Sequence, residues 1–82
     1  MAKANIRQIE AFNAVMKTGS VTKAAETLFV SQPAVTKLLK SFEESCGFDL
    51  FSRSTGRLVP TPEAKQLYTE THKLLAGVLR VE

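Results

Sequence analysis

Between Ser31 and Lys40 the chain sets a glutamine, a threonine and two lysines at intervals that place them on one side of a helix. Gln32 offers an amide donor beside an acceptor, Thr36 a hydroxyl and a methyl, and Lys37 and Lys40 carry ammonium groups. At about 100° per residue these fall, with Pro33 and Glu44, opposite a stripe of Val35, Leu38, Leu39, Phe42 and Cys46. Amides, hydroxyls and ammonium groups of this kind can bond base edges and phosphate oxygens. The far half of the helix turns acidic at Glu43-Glu44, so only its start suits a polyanion.

Such a face needs a helix with a fixed start and a second helix to hold it. Ser31 is a preferred N-cap, and Pro33 falls in the first turn, where its missing N–H leaves no helical bond unmade. That helix runs to about Cys46, and Gly47 closes it. Ahead of it, Ser20 caps a helix over about Val21–Leu28, and Phe29-Val30 make the turn between the two. Ala24 and Ala25 are small enough for the helices to cross closely and steeply. Residues 21–40 therefore have the pattern of a helix-turn-helix, whose second helix lies in the DNA major groove. A first helix starts at Asn5, with Gln8 in the reciprocal capping position, and runs to about Lys17. Its Ile6, Ile9, Phe12, Val15 and Met16 are expected to face the core, and Thr18-Gly19-Ser20 separates it from the second.

After Gly47 the periodicity changes. Phe48–Arg53 and Arg57–Pro60 read as two short strands, with Ser54-Thr55-Gly56 as the turn between them. Arg53 and Arg57 flank the tip of this hairpin, where they either reach a phosphate backbone or minor groove or are simply solvated. Thr61 then caps a last helix with Pro62 in its first position and Glu63 near its positive end. The pattern continues to the last residue, at a spacing close to heptad. Leu67, Thr71, Leu74, Leu75 and Val78 form its apolar stripe, with Gly77 costing roughly 1 kcal/mol relative to alanine. Pairing with a second copy is the simplest way to cover it. A helix pattern still running at Glu82 favours an excised fragment over a very small dimeric protein.

At 82 residues there is room for one small domain. Residues 1–62 hold eight basic groups (Lys3, Arg7, Lys17, Lys23, Lys37, Lys40, Arg53, Arg57) against five acids (Glu10, Glu26, Glu43, Glu44, Asp49). The net charge of +3 thus travels with the suspected reader and not with the balanced tail. Cys46 stands alone, without metal-ligand spacing around it, and reads as a small buried hydrophobe. No apolar run nears the roughly 20 residues needed to span a bilayer, and MAKANIRQ lacks the apolar core of a signal peptide, so a cytoplasmic setting is expected. The enzyme class fails on inventory. His72 is the one histidine, without a paired nucleophile, and no glycine-rich phosphate loop is present. Neither a cofactor nor a metal is implied.

The chain resembles the N-terminal DNA-binding region of LysR-type transcriptional regulators. Arg7-Gln8 with Phe12, Gly19-Ser20-Val21, Ala24-Ala25, Val30-Ser31-Gln32-Pro33-Ala34-Val35 with Lys37, Leu50-Phe51 with Arg53, and Thr61-Pro62 carry the likeness. The likeness spans essentially the whole chain and keeps the order and spacing of those motifs. It implies a mainly α winged helix-turn-helix, three helices plus a two-stranded β-wing, over residues 3–61, followed by a dimerising linker helix over 62–82. It also implies two copies on an interrupted promoter dyad, with options of a tetramer in the full-length protein and of contact with RNA polymerase. By position, Gln32, Pro33, Thr36 and Lys37 match the base-reading segment, Ser31 and Lys40 phosphate contacts, and Arg53 and Arg57 the minor-groove side. Two motifs depart from the pattern. Phe29 stands where many helix-turn-helix proteins have glycine, and Thr61-Pro62-Glu63-Ala64 replaces the usual Thr-Pro-Ala-Gly. The effector-binding domain of the family has no counterpart in these residues. The competing class is a winged helix that docks on protein through the same face, which a shallow salt dependence would reveal.

Overall fold

A computed structural model of the chain describes residues 5–54 and 57–79, with the side chains of residues 53, 54, 57, 78 and 79 outside the description. Its elements follow in order: α1 (Ile6–Thr18), α2 (Val21–Leu28), α3 (Gln32–Cys46), β1 (Phe51–Ser54), β2 (Arg57–Pro60) and α4 (Pro62–Leu79). Local chemistry sets most of the boundaries. Asn5 Oδ1 accepts from the Gln8 N–H at 3.0 Å while Gln8 Oε1 accepts from the Asn5 N–H at 3.0 Å, closing a capping box at the start of α1. Ser20 Oγ accepts from the Lys23 N–H at 3.1 Å, and Ser31 Oγ from the Ala34 N–H at 3.2 Å, so α2 and α3 each start on a serine. Gly47, at φ 82, ends α3 in the left-handed conformation that glycine adopts without strain.

Phe12 is fully buried at the meeting point of the elements. Its ring lies 5.6 Å from Phe42 of α3, 6.1 Å from Phe51 of β1 and 6.3 Å from Tyr68 of α4. Around it sit Ala11, Val15, Val35, Leu39, Leu50 and Ala64. Ala24 and Ala25 are buried where α2 passes its neighbours, as their size suggests.

Ile6 does not join this core. It is 43% exposed, because it lies about 120° round the helix from Phe12 and the inward positions are taken by Gln8, Ala11, Phe12 and Val15. Two polar side chains of α1 are buried instead. Gln8 Nε2 donates to Ser41 Oγ at 2.7 Å, tying α1 to α3, and Asn13 Nδ2 donates to Thr71 Oγ at 2.8 Å, tying α1 to α4.

The hairpin is antiparallel, with Phe51 opposite Pro60 and Ser54 opposite Arg57. Its first strand starts at Phe51 and not at Phe48, because the backbone before it is already committed. Glu43 Oε2 accepts from the Leu50 N–H at 2.8 Å and the Phe51 N–H at 3.4 Å. Thr61 Oγ donates towards Asp49 O at 2.8 Å and Leu50 O at 3.3 Å, and accepts from the Ala64 N–H at 3.1 Å to cap α4. Ser54 belongs to β1, while Thr55 and Gly56 of the expected turn lie outside the described residues, as do residues 80–82 of the expected last helix.

Candidate nucleic-acid interface

Ser31, Gln32, Pro33, Thr36, Lys37 and Lys40 are all exposed along one side of α3, and Val35, Leu39 and Phe42 are buried beneath them. Each polar group stands on a backbone that the core holds still. Ser31 caps the helix through its oxygen and keeps its O–H to donate elsewhere. Gln32 is not fully free: Thr22 Oγ on α2 donates to Gln32 Oε1 at 3.3 Å. Thr36 and Lys40 border a cleft of about 270 Å³ between α3 and the hairpin, whose opposite wall is Phe51 and Leu58.

Glu43 has a part that sequence reasoning missed. Its charge limits where a polyanion can sit, and its carboxylate also binds the two N–H groups that start the hairpin. The C-terminal half of α3 therefore holds the wing, and the N-terminal half faces outward. Arg53 pairs in register with Leu58, and Arg57 with Ser54, so the two arginines occupy successive steps of the ladder near its tip.

The expected single stripe on α4 is divided in two. Ala64 and Thr71 are buried against the same chain's head, with Tyr68 and Leu75 half-buried on that side. Thr71 Oγ accepts the bond from Asn13 and so is occupied internally. Leu74, in contrast, is 51% exposed, while Leu67, a heptad before it, is half-buried against the head. The side chain of Val78 lies outside the description. No sequence signal marked Asn13, whose Oδ1 is buried without a hydrogen-bond partner among the described residues.

Elsewhere the chemistry is sparse. Burial, and then the charge of Glu43, push the Cys46 thiol above its ordinary pKa, which favours the unreactive protonated form. His72 is exposed, its ring 5.5 Å from that of Tyr68. Among the described residues, no group of three His, Cys, Asp or Glu could hold a metal ion, and no helix is long and apolar enough to cross a membrane.

Residues 6–65 match the family model for bacterial regulatory helix-turn-helix proteins of the lysR family. The octopine catabolism/uptake operon regulatory protein OccR of Rhizobium meliloti is 46% identical over 74 residues, which cover 90% of this chain and 25% of that protein. The transcriptional activator protein LysR of Escherichia coli (strain K12) is 44% identical over 81 residues, 99% of this chain and 26% of the relative. The chain thus spans about a quarter of the length of these curated relatives. Among solved structures, the BenM DNA-binding domain in complex with benA site 1 DNA superposes with a TM-score of 0.84 at 34% identity, over 90% of this chain and 83% of that one. The CbnR DNA-binding domain in its DNA complex gives 0.84 at 29% identity, over 93% and 87% of the two chains.

Proposed function

Given that the chain belongs to the LysR family of bacterial regulatory helix-turn-helix proteins and is the DNA-binding domain of such a regulator, we propose that it reads promoter DNA through the first turns of α3. The observation that carries this reading is the exposed row of Gln32, Pro33, Thr36 and Lys37 over a buried Val35. A helix anchored from below can enter a major groove without disturbing its own core. Gln32 makes a two-bond contact with adenine, Lys37 donates to guanine, and the Thr36 methyl rests on a thymine methyl. Ser31 and Lys40 hold phosphates, and Arg53 and Arg57 of the wing lie at the minor groove, where they fix position more than sequence.

In the same reading residues 3–61 are the reader and residues 62–82 a linker helix that pairs two copies. Leu67, Leu74 and Val78 supply the contact between copies, with Leu75 at its edge. Two readers held this way suit two half-sites of an interrupted dyad in cytoplasmic, nucleoid DNA. The relatives named above are called regulatory and activator proteins, which supports control of transcription as the end of this binding.

Gln32→Ala and Thr36→Ala, bound at fixed salt to a duplex selected from random DNA and to a scrambled duplex, test the assignment. Gln32→Ala is expected to cost about 1–3 kcal/mol on the selected duplex, the worth of a good two-bond contact. On the scrambled duplex, where affinity is mostly phosphate, it costs little. Equal losses on both would remove base reading from α3.

A further inference from the structure

The backbone of Gln32 has little freedom, since Ser31 caps the helix beneath it and Pro33 fixes the next φ. Its side chain retains three rotatable bonds, and an amide end that can face either way. Thr22 limits that freedom through its hydroxyl, which donates to Gln32 Oε1 at 3.3 Å across the helix-turn-helix. Thr22 is itself well anchored. It sits in the first turn of α2, behind the Ser20 cap, and its branched Cβ leaves few rotamers.

We propose that Thr22 is a positioning residue for Gln32, holding its amide end on the α2 side where it meets an adenine. The inference rests on the assignment of Gln32 to base contact made above. Adenine shows an N7 acceptor beside an N6 donor, so Nε2 must meet N7 while Oε1 meets N6. The bond from Thr22 uses one lone pair of Oε1 and leaves the second for N6, with both Nε2 hydrogens free. It also keeps the amide end on the α2 side. An A·T pair that presents N7 and N6 at that place then fits, whereas an inverted T·A pair carries them on the other strand. Without the hydroxyl the amide end swings freely, and the chain distinguishes the two orders less well.

The test uses the 82-residue chain carrying Thr22→Val, Thr22→Ser, Gln32→Ala or Thr22→Val with Gln32→Ala. Each binds three duplexes: one selected from random DNA by the wild type, one with the base pair read by Gln32 inverted, and one scrambled. Thr22→Val is expected to weaken the selected duplex roughly threefold to tenfold, the effect of leaving one long side chain to be ordered on binding. The preference for the selected over the inverted pair falls with it, the scrambled duplex is unaffected, and Thr22→Ser behaves as wild type. In the Gln32→Ala background Thr22→Val has no further effect. A loss shared by the scrambled duplex, or one that persists without Gln32, overturns the proposal by giving Thr22 its own phosphate contact or a role in the fold. A selected pair other than A·T at that position overturns it too. If Gln32→Ala is selective while Thr22→Val is silent, the positioning claim alone fails. If Gln32→Ala weakens all duplexes equally, the base-contact assignment fails first.

Discussion

Both α3 and α4 bury one side on Phe12, the first through Phe42 and the second through Tyr68, and both turn another side outward. On α3 the outward side is Gln32, Thr36, Lys37 and Lys40, groups that water solvates well. On α4 it includes Leu74, half exposed, with the exposed carboxylates of Glu63 and Glu70 alongside. The inner stripes obey one rule and say nothing about partners. The outer faces differ in what they gain from being covered. Apolar area is stabilised by about 25 cal/mol per Å² wherever it leaves water, with little demand on geometry. A polar face gains only where a partner returns its hydrogen bonds, which makes it selective. One helix is thus suited to a patterned polyanion and the other to a second apolar helix.

The most severe way to break this comparison is to remove what the two helices share. Phe12→Ala is expected to cost about 3–5 kcal/mol, most of the stability of a domain this small. Thermal unfolding followed by far-ultraviolet circular dichroism and by Tyr68 fluorescence should show α3 and α4 released in one transition. Two separated transitions would mean that α4 is seated independently of the head.

The two lines on α4 can be separated by substitution. Leu74→Glu should weaken self-association by about 1.5–3 kcal/mol, tenfold or more in the dimer dissociation constant, and leave unchanged the melting temperature measured at concentrations where both chains are monomeric. Thr71→Ala should do the reverse. It removes the acceptor for Asn13 Nδ2, costs about 1–2 kcal/mol of folding stability, and leaves association as it was. Sedimentation equilibrium beside a thermal melt distinguishes them, and a dimer insensitive to Leu74→Glu would place the contact elsewhere.

The smallest effect concerns the turn that delivers α3. Phe29 is 94% exposed and holds φ 58, ψ 42, a left-handed conformation that costs a non-glycine residue roughly 1–2 kcal/mol. Phe29→Gly should therefore raise stability by about 1 kcal/mol, less what glycine loses in the unfolded chain, with DNA affinity unchanged. A fall in stability would show that the ring is packed in solution, and a fall in affinity that it touches DNA.

Much of this was legible in the sequence because short-range chemistry writes it there. Asn5 with Gln8, Ser20, Ser31, Pro33, Gly47 and Thr61 mark their helix ends by residue type alone, and the alternation of Val35, Leu39 and Phe42 with Thr36, Lys37 and Lys40 assigns the two sides of α3. Long-range pairing was not legible. Nothing near Asn13 indicates that its partner is Thr71, nor near Gln8 that it meets Ser41, because each bond depends on how two helices cross. A heptad-like spacing also could not say that α4 packs against its own head along one line and faces away along another. Helical periods place residues on a cylinder, and only the tertiary contact decides how wide the buried arc is.

The attachment of the wing has a kinetic consequence. A two-stranded ribbon by itself opens readily. Here the Leu50 amide is bound by Glu43 of α3, and the Thr61 amide at the other end donates to Leu50 O at 3.0 Å. Neither amide can meet solvent by fraying of the strands, since both bonds lie on the core side of the ladder. In hydrogen–deuterium exchange the Leu50 and Thr61 amides should therefore keep the slow clock of global unfolding, while the amides of the β1–β2 ladder keep a faster one.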